Sequence, residues 1–309
     1  MFSVVIPAYN RADLLAQTIR SVFAQECTDF EVIVVDDGSS ENLGTVLEQF
    51  GSGVRLVHQE NRGPGAARNL GIAHANGEYI AFLDSDDLWF PWTLKTYRNV
   101  IEKCSKPAVV AACLRHFASA EELVGVPRKP LEYEIFDDYL TAARRGRFFG
   151  AGQLLVRKDA ITSVGGFTEL RINAEDHDLA LRLGVASGFV FIDSPVMVGY
   201  RQHPDSETVN ISKAVLGVRN LLFQEQVGNY AGGNDRRVDR WHIITTHSRS
   251  FSLAALDTGS FSQAWALYWS TFTWHVWRGR WRYLFGFPVR ALLEYTRHVL
   301  RRKPTIEMK

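Results

Sequence analysis

The sequence predicts an α/β fold, a mostly parallel sheet covered by helices on both faces, with a helical extension at the C-terminal end. Three observations carry this expectation. Short apolar runs alternate with helical patterns through the first two hundred residues. Those runs are continuously apolar, as befits strands buried on both faces of a sheet. After about Val209 the alternation ends and only helical spacing remains.

The elements follow in order. Residues 3–7, 30–35, 54–58 and 78–83 read as strands rich in Val, Ile and Phe. Between the first two, Leu14, Leu15, Ile19, Val22 and Phe23 recur at helical spacing. A second helical stretch carries Leu43, Val46, Leu47 and Phe50, and Pro64 suits the first turn of a third helix running to about Ala75. Residues 108–114, 153–156, 189–192 and 196–200 extend the strand pattern, with a helix opening at Glu175 and carrying Leu179, Leu181 and Leu183. Residues 212–227, 240–256 and 261–274 read as helices, the last two joined by the turn Asp257-Thr-Gly-Ser260. A boundary is expected near residues 205–212.

Composition removes several function classes. Lys and Arg total 35 against 34 Asp and Glu, so the chain lacks the basic field of a dedicated nucleic-acid binder. The three cysteines, Cys27, Cys104 and Cys113, have neither metal-ligand spacing nor the look of a disulfide framework, which suits a reducing compartment. The first residues already read as a strand rather than a signal peptide, and no run of about 18 apolar residues occurs. The expected location is the cytoplasm. From Trp274 onward, however, nine Lys or Arg face only Glu294 and Glu307.

Ligands of such sheets bind beyond the carboxyl ends of the strands. Polar clusters sit at those ends: Ala8-Tyr9-Asn10 after the first strand, Asp36-Asp37 after the second, and Asp84-Ser85-Asp86-Asp87 after the fourth. Several carboxylates within one turn repel one another unless a cation offsets them, and hard oxygen ligands favour Mg2+ or Mn2+. Alone, this cluster fits an acidic helix-capping turn equally well. Arg68, on a helix with a glycine-rich entrance, is a phosphate candidate by context rather than by itself.

Taken in order, Val4-Val-Ile-Pro-Ala-Tyr-Asn10, Val34-Val-Asp-Asp-Gly-Ser39, Gly65-Ala-Ala-Arg-Asn69 and Asp84-Ser-Asp-Asp87 resemble the N-terminal signature of family 2 inverting glycosyltransferases, which have the GT-A fold, Rossmann-like and mostly parallel. The resemblance continues through Gly165-Gly-Phe167, Glu175-Asp176 and Tyr200-Arg-Gln-His203, covering roughly residues 2–205. It implies a GT-A domain over residues 1–208, with a nucleotide-binding half of about 1–115 and an acceptor half of about 116–208. Residues 209–309 form the helical region with its basic aromatic tail.

The resemblance also implies roles. Asp37 would recognise the nucleotide, with Pro7, Ala8 and Tyr9 lining the base pocket. Arg68 and Ser85 would lie near the nucleotide, while Asp84 and Asp86 would hold Mn2+ or Mg2+ against the donor diphosphate, Asp86 chiefly and Asp87 only structurally. Asp176 would be the base that takes the acceptor hydroxyl's proton, with Glu175 and Asp178 as competing carboxylates. Arg201 and His203 are further candidates for the diphosphate or metal. The implied partners are a nucleotide-sugar donor, UDP-sugar by default, and a glycan or lipid-linked acceptor. A catalytically inactive sugar-nucleotide-binding protein and a nucleotidyltransferase are the alternatives. Against the latter, Ala8-Tyr-Asn-Arg11 stands where a glycine-rich phosphate loop belongs.

The tail interleaves Trp265, Trp269, Trp274, Trp277 and Trp281 with other aromatics, then with the basic run from Arg297 to Lys303. Two readings stand: peripheral association with an anionic membrane, or aromatic packing within the protein.

Overall fold

A computed structural model describes residues 1–203 and 210–301. Part of the expected boundary, residues 205–209, and the tail's end from Arg302 lie outside the described residues. The chain divides into two compact units: residues 1–171, 175–205 and 230–233 in one, residues 172–174, 206–229 and 234–309 in the other.

In the first unit the elements run β1 (Phe2–Ala8), α1 (Ala12–Phe23), β2 (Phe30–Asp36), α2 (Leu43–Leu47), β3 (Val54–His58), α3 (Pro64–His74), β4 (Tyr79–Phe82), β5 (Leu88–Trp89), α4 (Thr93–Lys103), β6 (Val109–Ala112) and β7 (Leu114–Phe117). They continue with β8 (Glu132–Phe136), α5 (Tyr139–Arg144), β9 (Leu154–Arg157), α6 (Lys158–Ser163), α7 (Glu175–Arg182), β10 (Phe189–Ser194) and β11 (Val198–Arg201). Eight strands form one sheet in the order β3-β2-β1-β4-β9-β6-β10-β8, and β5, β11 and β7 form a small second sheet.

The apolar runs explain the large sheet. Val4, Val5, Ile6, Val32, Ile33, Val34 and Val35 are all buried, so both faces of β1 and β2 are covered. β1 to β4 pair in parallel, with Val4 opposite Val32 and Ala81. The expectation of a mostly parallel sheet holds there, but β9 runs antiparallel to both β4 and β6, and β8 antiparallel to β10. Helix α1 buries Leu15, Ile19 and Val22 at helical spacing. Helix α3 lies close on β1: a Cβ added to Gly71 would stand 2.3 Å from Val5 Cγ1, so only glycine permits the approach.

The second unit consists of α8 (Ile211–Gln226), α9 (Arg237–Asp257), α10 (Phe261–Trp277) and α11 (Trp281–Arg301). Its core joins Leu256, Tyr268, Leu284, Phe287 and Ala291. Tyr268 stacks on Phe287 at 4.5 Å and donates to the Leu284 carbonyl at 3.0 Å, satisfying its hydroxyl inside an apolar cluster. Trp241 stacks on Trp274 at 4.5 Å. An ion pair of Arg240 with Glu225, 2.7 Å apart, ties α9 to α8. The aromatic tail is therefore divided. Trp274, Tyr283 and Phe287 pack within this unit, whereas Trp269, Trp277, Trp281 and Phe285 are exposed.

Candidate functional site

The carboxyl ends of β1, β2 and β4 lie side by side, since Ala8 pairs with Asp36 and Val5 with Phe82. Pro7 and Ala8 close β1, and Tyr9 beyond them is half exposed. Asn10 and Arg11 both take left-handed φ, near +57° and +63°, turning the chain sharply into α1. The Asn10 carboxamide holds the neighbouring loop by accepting from Ser40 N at 2.9 Å.

Asp37 is buried, and its carboxylate accepts from Gln59 Nε2 (2.7 Å), Arg62 N (2.8 Å) and Gly63 N (2.8 Å). It thus fastens the loop that leads into α3. Two backbone N–H donors fix the direction of this carboxylate. Asp36 likewise accepts from Ser39 N at 2.9 Å.

From α3, the buried Arg68 guanidinium reaches two acids, Asp84 Oδ1 at 2.8 Å and Glu175 Oε1 at 3.0 Å, with the Phe167 ring 5.2 Å away. Burial opposes its charge, but Asp84 and Glu175 outweigh that effect and hold it protonated. Burial pushes Glu175 above the usual carboxylate range, with the neighbouring Asp176 adding to the rise and Arg68 opposing it.

The four residues after β4 diverge. Ser85 is buried, and its carbonyl, with that of Asp87, lies 2.9 and 2.8 Å from the Thr18 hydroxyl. Asp86 Oδ2 receives Arg11 Nη1 at 2.6 Å and lies 2.9 Å from His203 Nε2. Arg201 donates its backbone N–H to Asp87 Oδ1 (2.8 Å) and its Nε to the Asp86 carbonyl (2.8 Å). Asp87 Oδ2 is buried and has no hydrogen-bond partner among the described residues. Burial, then the nearby Asp84 and Asp86, raise the Asp87 carboxyl well above its usual range.

At the start of α7, Ala174 takes φ +88°, a backbone conformation rare for a residue with a side chain. The helix that follows presents its acids in its first turn, where the helix dipole favours anions. The three carboxylates have different surroundings. Glu175 is taken by Arg68. Asp178 is buried, gripped by Arg182 at 2.7 Å and by the Tyr230 hydroxyl at 3.0 Å. Asp176 keeps partial exposure and accepts from His177, whose backbone N–H is 2.7 Å away and whose ring Nδ1 also contacts it.

The turn 150–153 just before β9 meets these groups. A Cβ placed on Gly152 would stand 3.3 Å from Asp87 Oδ2 and 3.4 Å from Asp84 Oδ2, and one on Gly150 would stand 3.4 Å from Asp176 Oδ2. The turn is pinned by Gln153, which donates to the Ala112 carbonyl at 2.6 Å and accepts from Gly150 N at 3.0 Å. Asp84, Asp87 and Asp176 therefore all approach one glycine-containing turn, the first two at Gly152 and the third at Gly150. The motif reading of the sequence missed this turn, together with Arg11 and Thr18; Gly150-Ala-Gly-Gln153, standing directly before a strand, was the available signal.

The donor set suits a hard divalent cation. It consists of carboxylate oxygens, one of them buried and unpartnered among the described residues, beside a turn where a single added methyl group would crowd them. Among the described residues no group of three or more acidic, His or Cys side chains is gathered tightly enough to hold a metal ion alone. Such an ion would draw other ligands from water and phosphate.

The sequence profile of glycosyl transferase family 2 matches residues 3–163. An uncharacterized glycosyltransferase of Rickettsia typhi is 30% identical over 214 residues, 68% of this chain and 66% of that protein. The amylovoran biosynthesis glycosyltransferase AmsB of Erwinia amylovora is 31% identical over 63% of this chain and 68% of its own length. A third relative, from Rickettsia bellii, matches only 33% of this chain and 15% of itself. The chain thus spans about two thirds or less of the first relatives it matches. Among solved structures, S. aureus TarS 1-349 in complex with UDP superposes with a TM-score of 0.61 at 22% identity, over 81% of this chain and 72% of that one. Mannosyltransferase PcManGT from Pyrobaculum calidifontis, in complex with GDP-Man and Mn2+, gives 0.55 at 18% identity, over 95% and 86%. These likenesses establish the GT-A fold. With more than half of its length matched by the family profile, the chain belongs to glycosyl transferase family 2.

Proposed function

We propose that the protein is a metal-dependent inverting glycosyltransferase that moves a sugar from a nucleotide-sugar, UDP-sugar by default, to a hydroxyl of a glycan or lipid-linked acceptor in polysaccharide or glycoconjugate biosynthesis. The observation that carries this reading is the convergence of Asp84, Asp87 and Asp176 on the glycine turn 150–153, with Asp84 and Asp87 just beyond the carboxyl end of a parallel strand. Its chemistry is that of a site which must accept an anionic leaving group and a proton at neighbouring positions.

In this reading the nucleotide lies over Pro7, Ala8 and Tyr9, with Asp37 fixing the base or ribose from a direction set by its backbone donors. Asp84 and Asp86 hold Mn2+ or Mg2+, which when bound offsets the charge of the departing diphosphate. Arg68 keeps Asp84 beside the Gly152 turn, and Arg201 and His203 close the site beside Asp86. Asp176 takes the proton from the acceptor hydroxyl as that oxygen attacks the anomeric carbon. The bond to the diphosphate oxygen breaks on the opposite side, and the nucleoside diphosphate leaves with the electron pair. His177, donating to Asp176, holds the carboxylate's orientation. The ligands carried by two structural neighbours, UDP-GlcNAc by TarS and GDP-Man with Mn2+ by PcManGT, support a nucleotide-sugar donor and a metal. The name of AmsB supports a polysaccharide product.

The test is thermal stabilisation by UDP-, GDP- and dTDP-sugars, each with and without Mn2+ or Mg2+. One nucleotide class should raise Tm by several degrees with metal and much less without. No stabilisation by any nucleotide-sugar, with either metal, would overturn the proposal.

A further inference from the structure

Helix α11 has two apolar faces, and only one is used inside its unit. Leu284, Phe287 and Ala291 point into the core with Tyr268. On the opposite side Trp281, Phe285, Val289, Leu292, Leu293 and Leu300 are exposed, Phe285 at 72% and Leu300 at 66%. Their spacing of three to four residues keeps most of them on one stripe, about 30 Å long at 1.5 Å per residue. Trp277, one turn before the helix begins, is 61% exposed, and Trp281 stacks on Phe285 with ring centroids 6.2 Å apart. Soluble surfaces rarely leave so many large apolar side chains in one row.

The charge pattern selects the occupant. Between Trp274 and Lys309 nine Lys or Arg face two Glu. Beside the stripe, Arg282 is exposed and has no carboxylate in ion-pair reach among the described residues, while Arg290 and Arg297 pair with Asp257 and Glu294 at the surface. A second copy of this helix would set these cations against their like, whereas an anionic lipid surface satisfies them and takes up the stripe together. Tryptophans at one end suit the headgroup level, apolar in body and polar at the ring nitrogen. No helix among the described residues is long and apolar enough to cross a membrane, so the helix would lie on the bilayer rather than pass through it.

We infer that α11 is an interfacial helix that docks this protein on an anionic membrane, with Phe285, Val289 and Leu292 seated at the boundary between headgroups and acyl chains and Trp281 and Arg282 at the headgroups. The inference stands on the helical unit alone and does not depend on the proposed reaction.

Flotation of the full chain with vesicles tests it. The arms are phosphatidylcholine alone, phosphatidylcholine with phosphatidylglycerol, and the mixed vesicles at high salt. The wild type should float with the mixed vesicles, float less at high salt, and remain below with phosphatidylcholine alone. Phe285→Glu with Leu292→Glu should cut the bound fraction roughly tenfold, because two exposed apolar groups become anions facing an anionic surface. Arg282→Glu should weaken binding by a smaller factor. Both variants alter exposed side chains, and an unchanged melting curve shows that they are folded. Recovery of the wild type below the mixed vesicles overturns the inference, as does equal flotation of the double variant. So does a vesicle-independent dimer, seen by light scattering, that the double variant dissociates, since the stripe then belongs to a second copy.

Discussion

Arg11 Nη1 stands 2.6 Å from Asp86 Oδ2, so the carboxylate assigned to the metal already has a positive partner. The guanidinium is only partly buried, and its left-handed φ of +63° directs the chain there. Under the proposed function Arg11 acts as a stand-in cation that a divalent ion must displace. Arg11→Ala should therefore lower Tm without metal by a few degrees, as a lost partly buried ion pair of about 1 kcal/mol would. It should also enlarge the Tm rise produced by Mn2+. An equal Mn2+ response in variant and wild type would show that the two cations do not compete.

Asp176→Asn keeps the shape of the side chain and removes its basicity. Transfer should fall by about a thousandfold or more. The donor Kd, measured by calorimetry with metal present, should change by less than roughly threefold, because the group acts on the acceptor. Near-normal turnover would mean that another carboxylate takes the proton, and Glu175, bound to Arg68, would be next to test.

Gly152→Ala probes the approach of the glycine turn to the carboxylates. The new methyl would sit 3.3 Å from Asp87 Oδ2 and 3.4 Å from Asp84 Oδ2, tight but not a clash, so the fold should survive. Metal-dependent donor binding should weaken by roughly tenfold, as the methyl crowds the Asp84 carboxylate that would hold the metal. Unchanged affinity would place the diphosphate elsewhere.

Arg68→Ala is a stability prediction. It leaves Glu175 and Asp84, both partly buried, without their shared cation. A loss of about 3 kcal/mol is expected from denaturant titration. Arg68→Ala combined with Glu175→Gln should recover part of that loss, since one of the two stranded charges is gone.

His275, fully buried in α10, yields a pH dependence. Burial, reinforced by Arg280, Arg249 and Arg278, pushes its pKa from 6.5 down to about 3. Between those values the unfolded chain binds a proton that the folded chain refuses. Its contribution is complete above pH 6.5 and shrinks as pH falls toward 3, with a limiting slope of about 1.4 kcal/mol per pH unit. His275→Leu should flatten this part of the stability profile between pH 6.5 and 4, measured by denaturant titration of both proteins. Parallel profiles would remove His275 as the cause.

Strands with continuous apolar character were legible because burial on both faces leaves no alternation to misread, and β1, β2 and β3 fall within a residue or two of expectation. The direction of β9 was not. Four apolar residues look the same in either orientation, and Leu154–Arg157 pairs antiparallel on both sides. The stretch from β8 through α5 also went unrecognised. Ile135 on β8 is exposed at the sheet's edge, so the apolar pattern is diluted there. In the site, motif order brought Asp37, Arg68, Asp84, Asp86 and Asp176 to attention. The partners that aim them, Arg11, Thr18 and Gln153, carry no pattern because hydrogen bonds across tens of residues leave no local periodicity. The tail was ambiguous for a physical reason: α11 is apolar on two sides, one of them packed and one exposed.

The reversed strand β9 also governs how the molecule can come into being. Because it lies between β4 and β6, the first 115 residues contain the four parallel strands β1 to β4 and a β6 whose two neighbours in the large sheet both come later in the chain. A nascent chain cut there would show β4 with a bare, strongly apolar edge, an open invitation to pair with another chain. Its carboxylates would face no glycine turn. Residues 1–115, proposed as the donor-binding half, therefore lack the strand that covers the β4 edge, and that edge stays open until residues 154–157 pair with it.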